Sequence, residues 1–155
     1  MLCLDTNTMY KISVTGHREL FHSEDEIKKQ FIEYLVQKKE KYGEISVNTG
    51  MAIGFDLLTA EICLTQNIPY IAALPFKDHL KSNEIFNLLK QQAQQIVIVS
   101  EGGYEKWKYF KRDKWLVENC DGLYAYLIKD GKSGTRTTVE VALEMKKEIT
   151  YFRND

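Results

Sequence analysis

Short segments of apolar or alternating residues recur along the chain, separated by longer segments in which apolar residues return every three or four positions. The first pattern is typical of strands and the second of amphipathic helices. Strands are predicted at 11–15, 45–49, 70–74, 96–99 and 123–128, with a closing strand at 149–152. The run at 96–99 is wholly apolar, which predicts a strand buried on both faces of a parallel sheet.

The predicted helices lie between these strands. Ser23, followed three residues later by Glu26, forms a capping-box pattern that marks the start of the first helix. The other helices are predicted to begin near Asp56, to span 78–92, to run through Arg112 to Glu118, and to span 138–147. This alternation predicts an α/β fold, Rossmann-like, with three α/β/α layers around a mainly parallel sheet.

Length and composition favour one Rossmann-like domain over residues 1–155, with its core at about 11–152. Of the 155 residues, 44% are apolar and 28% are charged, and no linker or repeat is visible. The cysteines, Cys3, Cys63 and Cys120, are widely spaced, which argues against a disulfide framework or a structural zinc site. We expect no metal site and no cofactor.

Charge and hydropathy restrict the partners that we expect. The formal net charge is −1, so no overall basic field points to a nucleic acid, and we do not expect one among the partners. No apolar segment approaches the roughly 20 residues that span a bilayer. Residues 1–9 show no signal peptide. The sequence therefore predicts a cytoplasmic protein without a membrane partner.

Residues suited to anion binding follow each of the first five predicted strands. They lie in the segments 15–18, 50–56, 75–77, 100–104 and 130–138, which carry glycine, hydroxyl or basic groups. Ligands of parallel α/β sheets bind beyond the carboxyl ends of the strands. We therefore expect these loops to converge on one ligand.

The segment 130–138 carries the strongest physical case for binding. Its glycines, Gly134 among them, permit close approach of the backbone, and its hydroxyl groups include those of Ser133, Thr135 and Thr138. The helix that follows presents unpaired N–H groups at its positive end, so the segment predicts an anion cradle. The alternative is a plain glycine turn in which a threonine caps the helix.

The loop after the second predicted strand offers Gly50, Gly54 and Asp56 as candidates. Gly54 would let the backbone approach a ligand, and Asp56 would accept hydrogen bonds from a ribose. Alternatively, Asp56 only caps its helix, because aspartate is a favoured capping residue.

The loops after the first and fourth predicted strands add further candidates. Gly16, His17 and Arg18 follow the first strand. Arg18 suits bidentate recognition of phosphate, whereas His17 is assigned mainly to hydrogen bonds with loop backbone. Gly103 follows the fourth strand beside aromatic residues, one of which could stack on a base: Tyr104, Trp107, Tyr109, Phe110 and Trp115.

Taken in order, these segments resemble the SLOG superfamily of DprA- and LOG-type Rossmann-like domains, and within it the YpsA-like group. The resemblance runs from about Lys11 to Ile149. The matching segments are VTGHR at 14–18, TGMAIGFD at 49–56, LPF at 74–76, RDKWLV at 112–117, CDG at 120–122 and SGT at 133–135. The resemblance implies a nucleotide or nucleotide-derived ligand, and it makes a homodimer or higher homo-oligomer an expectation.

The resemblance also implies that the chain could be an enzyme, because some relatives are phosphoribohydrolases that release a base from a nucleoside monophosphate. That branch pairs a PGGxGTxxE loop with an arginine on the preceding helix, and Arg112 resembles that arginine. The loop here keeps Gly-Thr at 134–135 but lacks Pro-Gly-Gly, and threonines stand at the acidic positions. Since cleavage needs a carboxylate at the ribosyl centre, the candidate catalytic residues are Arg112, Glu140 and Asp56.

The main hypothesis is a domain that binds a nucleotide or a nucleotide-derived signal at the carboxyl edge of the sheet. Gly134, Thr135 and Arg18 would hold the phosphate. Asp56 would contact the ribose, and Arg112 would lie near the phosphate or the sugar. The first alternative is phosphoribohydrolase activity on a nucleoside 5′-monophosphate. The second is binding of single-stranded DNA, which the near-neutral charge disfavours.

Overall fold

Six strands and five helices alternate along the chain. The computed structural model describes residues 9–154. Cys3 lies outside the described residues, and so do residues 1–8, where the sequence predicts no signal peptide. The elements are β1 (Tyr10–Gly16), α1 (Glu24–Tyr42), β2 (Ile45–Thr49), α2 (Phe55–Thr65), β3 (Tyr70–Leu74), α3 (Glu84–Gln92), β4 (Gln95–Ile98), α4 (Trp107–Glu118), β5 (Gly122–Tyr126), α5 (Gly134–Glu144) and β6 (Glu148–Tyr151).

All six strands form one sheet in the order β4-β3-β2-β1-β5-β6, and every neighbouring pair is parallel. Ile12 of β1 pairs with Val47 of β2 on one side and with Gly122 of β5 on the other. From β1 the chain builds outward to β4 and then crosses back to add β5 and β6. The strand order therefore reverses between β1 and β5, which is where ligands of such sheets bind.

Helices cover both faces of this sheet. The larger core cluster joins α1, α2 and α3 to one face and contains the stacked rings of Phe55 and Tyr126, whose centroids are 5.2 Å apart. Leu123 and Ala125 alternate with the β5 tyrosines and so point to the other face, where they pack with residues of α4 and α5. The predicted Rossmann-like α/β fold with three layers is confirmed.

The prediction of a fourth strand buried on both faces is wrong. β4 lies at the edge of the sheet, with β3 as its neighbour on one side only. Ile96 is 44% exposed and Ile98 is 46% exposed. An apolar run indicates a buried strand only when the sheet continues past it, and strand order is not written in the local pattern.

The sequence predicted the start of the first helix correctly but misplaced the starts of two later ones. The Ser23 side chain accepts a hydrogen bond from the Glu26 backbone N–H, as the capping-box pattern predicts. The helix predicted from 78 begins only at Glu84, because 78–83 form turns that end at the N-cap Asn83. The helix predicted from 138 begins four residues earlier, at Gly134. None of the helices within residues 9–154 is long and apolar enough to cross a membrane.

Candidate functional site

A cavity of about 360 Å³ opens beyond the carboxyl ends of β1 and β5, where the strand order reverses. Eight of the predicted binding residues line it: Gly16, His17, Arg18, Asp56, Arg112, Ser133, Gly134 and Thr135. The lining is completed by Tyr109, one of the aromatic candidates for base stacking, and by three residues that the sequence did not assign to binding: Thr15, Ala52 and Asp113. The expectation that strand-end loops converge on one place thus holds for these residues.

Five candidates do not line the cavity: Gly50, Gly54, Gly103, Thr138 and Glu140. Gly50 and Gly103 instead offer carbonyl oxygens to the Arg112 and Lys108 side chains, and the Thr138 hydroxyl donates to the Gly134 carbonyl at 2.8 Å. Glu140 is exposed on α5. The structure therefore does not place Glu140 where a carboxylate acting on a ribosyl centre would be.

Two glycines in these loops are required by the chain itself rather than by a ligand. Gly54 has φ of 94°, and a Cβ atom there would lie 2.2 Å from the Arg18 carbonyl oxygen. A Cβ atom at Gly16 would lie 2.4 Å from the Phe55 ring. Both glycines let the loop after β1 pack closely against the start of α2, which sets the position of Arg18 at the cavity.

His17 holds the loop after β5 against the loop after β1. Its Nε2 accepts hydrogen bonds from the backbone N–H groups of Ile128 and Lys129, both at 3.1 Å. An acceptor nitrogen carries no proton, so the ring is neutral. Burial lowers the pKa of His17, and the positive charge of Lys129 lowers it further. His17 thus has the backbone-binding role that we assigned to it from the sequence.

Arg112 is a buried cation that braces the floor of the cavity. It is 4% exposed, and its guanidinium donates to the Gly50 carbonyl at 2.5 Å, the Ala73 carbonyl at 3.3 Å and the Asp113 carboxylate at 2.8 Å. These contacts tie α4 to the ends of β2 and β3. Asp113 directly follows Arg112, and that adjacency was the one signal in the sequence for its place in the site.

Asp56 is the more deeply buried of the two carboxyl groups in the lining. It is 6% exposed; its Oδ2 accepts from the Ala52 backbone N–H at 3.4 Å, whereas its Oδ1 has no hydrogen-bond partner. Burial raises the pKa of Asp56 to about 7; Arg112 works against this rise, and Asp113 adds to it. In the described part of the chain, no third acidic, histidine or cysteine side chain joins these two carboxylates in a group that could hold a metal ion.

The start of α5 supplies backbone donors at the mouth of the cavity. Ser133 is the N-cap, and its side chain accepts from the Arg136 backbone N–H at 3.1 Å. The N–H groups of Gly134 and Thr135, in the first turn, have no intrahelical acceptor. Together with the positive end of the helix dipole they suit an anion. The glycine segment is therefore both a capped helix start and a candidate anion cradle.

A second hollow continues from this cavity along the start of α4. It shares Arg18, Tyr109, Asp113 and Gly134 with the cavity. Its other lining residues are Tyr104, Lys106, Phe110 and Thr137. We refer to Tyr104, Lys106, Tyr109 and Phe110 as the aromatic shelf. Tyr104 is 69% exposed and Phe110 is 51% exposed, so their rings are open to solvent beside the anion cradle.

Comparison with protein-family models shows to which family the chain belongs. The family model for DNA recombination-mediator protein A matches residues 3–155. The chain belongs to this family. The match confirms membership of the SLOG superfamily, whereas the narrower assignment to its YpsA-like group is not confirmed. No curated protein matches the sequence.

Solved structures share the fold of this family member at low sequence identity. DNA processing protein A (DprA) from Streptococcus pneumoniae is 19% identical, with a TM-score of 0.70 over 92% of this chain and 50% of that chain. DNA processing protein A from Helicobacter pylori is 21% identical, with a TM-score of 0.71 over 95% of this chain and 68% of that chain. The structural-genomics target TM1055 is 17% identical, with a TM-score of 0.62 over 91% and 72%. This chain thus spans half of the pneumococcal protein.

The family match overturns two expectations from the sequence. The main hypothesis of a nucleotide-derived small ligand is wrong, and so is the expectation that a nucleic acid is not among the partners. The matching family is one of DNA recombination mediators, and the Helicobacter pylori structure describes a single-stranded DNA binding mode of that protein. The misleading signal was the net charge of −1, because a sum over 155 residues does not report where the charges lie.

Proposed function

We propose that the chain binds single-stranded DNA along a track formed by the cavity and the aromatic shelf. The observation that carries the proposal is the continuity of the two, which share Arg18, Tyr109, Asp113 and Gly134. Proteins that bind single strands combine a cationic groove for the backbone with aromatic rings for the bases. Family membership supports the proposal, as does the binding mode described for the Helicobacter pylori relative.

In this arrangement the cavity takes a backbone phosphate. The first-turn N–H groups of Gly134 and Thr135 donate to its oxygens, and Arg18 reaches it from the opposite loop. Arg18 is exposed and forms no ion pair among the described residues. Its guanidinium lies 6.0 Å from the centre of the Tyr109 ring, which holds it beside the aromatic shelf.

The shelf takes the bases. Tyr104 and Phe110 present exposed rings, and stacking of a base on such a ring does not depend on sequence. The segment 104–115, YEKWKYFKRDKW, holds five basic residues against two acidic ones. Lys108 and Arg112 are buried, so the exposed cations of the segment are Lys106, Lys111 and Lys114. Their alternation with aromatic residues is the sequence signal for a single-strand surface.

Fluorescence anisotropy with a labelled thymine oligonucleotide tests the proposal. A stacked base is worth roughly 1–3 kcal/mol by alanine substitution, so Phe110→Ala should weaken binding about 5- to 150-fold. The matched control is Tyr42→Ala, which removes a ring that is 39% exposed at the end of α1, beside the amino ends of the strands. Wild-type protein that fails to bind at low salt would contradict the proposal, and so would equal losses in the two variants.

The salt dependence gives an independent test of the phosphate contact. Arg18→Ala should reduce the slope of log affinity against log salt concentration by about 0.7, the value for one phosphate contact on a single strand. Lys29→Ala, an exposed cation on α1, should leave the slope unchanged. A slope that does not change in Arg18→Ala would remove Arg18 from the track.

A further inference from the structure

One polar atom that lines the cavity is left without a partner by the protein itself. Among the described residues, four buried side-chain atoms lack a hydrogen bond, and Asp56 is the residue among them that lines the cavity. A buried polar atom without a partner costs about 1–3 kcal/mol. A group kept in this state at a binding site is expected to gain its partner from the ligand.

The charges around Asp56 come from every element packed against it. Arg112 and Asp113 face it from α4, and Arg18 faces it from the loop after β1. The nearby histidines add no charge near neutral pH, because burial lowers the pKa of His17 and lowers that of His79 to about 4. Four charged side chains therefore line the cavity, two arginines and two aspartates.

The net charge of the cavity lining depends on whether Asp56 holds a proton. With both aspartates ionised, the two arginines are balanced and the lining has no net charge to attract a phosphodiester. With Asp56 neutral, the lining carries one net positive charge, which matches the single negative charge of a phosphodiester group. Burial raises the pKa of Asp113 as well, but its carboxylate is paired with Arg112 at 2.8 Å, and that pairing opposes the rise.

We propose that neutral Asp56 is a phosphate-binding residue of the cavity, which donates its carboxyl O–H to a phosphate oxygen of the DNA strand. The inference rests on the proposed single-strand function. A non-bridging phosphate oxygen only accepts hydrogen bonds, and an ionised carboxylate also only accepts, so the two can bond only if the carboxyl group holds a proton. That proton comes from solvent, and binding of the strand takes it up.

The pH dependence of affinity for a thymine oligonucleotide tests the inference. Neither the phosphodiester nor thymine gains or loses a proton between pH 6 and pH 8. Burial raises the pKa of Asp56 to about 7, so wild-type affinity should fall about tenfold over this interval. Asp56→Asn should bind at both pH values without this fall, because an amide N–H replaces the O–H donor and does not titrate.

The outcomes separate this inference from the proposed function. Glu118→Gln removes an exposed carboxylate at the far end of α4 and should keep the wild-type pH dependence. A tenfold fall that persists in Asp56→Asn would overturn the inference, and so would wild-type binding that does not change with pH. Protein that binds no single strand at pH 6 or pH 8 would overturn the proposed function itself.

A measurement on the wild-type protein covers the case in which Asp56→Asn does not fold. Calorimetric titration in two buffers of different ionisation enthalpy counts the protons taken up on binding. At pH 8 the free carboxyl group is mostly ionised, so close to one proton should be taken up per bound strand. Binding at pH 8 without proton uptake would overturn the inference while leaving single-strand binding intact.

Discussion

Replacing Asp56 with asparagine should stabilise the folded protein, and the gain should grow as the pH rises. The carboxyl group has an ordinary pKa of 3.8, which burial raises to about 7 in the folded state. Between these values the folded protein holds a proton that the unfolded chain has released. Native stability therefore falls as the pH rises through this window.

The magnitude follows from the difference between the two pKa values. Each unit is worth about 1.4 kcal/mol, so ionising Asp56 costs the folded state at most about 4 kcal/mol above pH 7. About 1.5 kcal/mol of this is already lost at pH 5, which leaves about 2–3 kcal/mol to be lost between pH 5 and pH 8. The asparagine variant carries no such cost, because its side chain does not ionise.

Urea denaturation followed by circular dichroism at pH 5, 6, 7 and 8 measures the difference in unfolding free energy between Asp56→Asn and wild type. The difference should grow by about 2–3 kcal/mol from pH 5 to pH 8. Burial lowers the pKa of His79 to about 4, so its contribution to stability rises with pH instead of falling. His79 is present in both proteins, and its contribution therefore cancels in the difference. A difference that is the same at all four pH values would refute the argument from burial.

Three further substitutions test the structure around the cavity by urea denaturation. Gly54→Ala places a Cβ atom 2.2 Å from the Arg18 carbonyl oxygen at a φ of 94°, and it should cost at least about 2 kcal/mol of stability. The control is Gly103→Ala, whose Cβ atom meets nothing within 4 Å and should cost little. Arg112→Met leaves the partly buried Asp113 carboxylate and two carbonyl groups unpaired and should cost about 3 kcal/mol; a loss below 1 kcal/mol would contradict its bracing role. Ser133→Ala should cost about 1 kcal/mol of stability, because the cap of α5 is lost. Ser133→Asn should keep most of that stability, because asparagine also caps helices.

The sequence predicts the fold well because periodicity reports burial directly. The second and third strands, at 45–49 and 70–74, were predicted with the bounds that the structure shows. Local periodicity does not contain the order of strands in a sheet. For this reason the apolar run at 96–99 was predicted to be buried, although the strand there lies at the sheet edge.

The candidate site was only partly predictable, because a glycine or a charged residue in the sequence does not show which group it will contact in the fold. The rule that ligands lie beyond strand ends brought Arg18, Asp56 and Thr135 to one cavity. A glycine pattern, however, does not distinguish approach of a ligand from approach of another chain segment, and Gly54 serves the second purpose. Likewise, an unpaired oxygen such as Asp56 Oδ1 appears only when every neighbour is in place.

The central claim, that a single DNA strand lies on the cavity and the aromatic shelf, is tested most directly by photocrosslinking. A 5-bromouracil oligonucleotide is irradiated with the wild-type protein, and the modified peptides are identified by mass spectrometry. We predict that the crosslinks fall on Tyr104, Tyr109 or Phe110, whose rings line the track. Crosslinks confined to the last turn of α1 around Tyr42, beside the amino ends of the strands, would contradict the account.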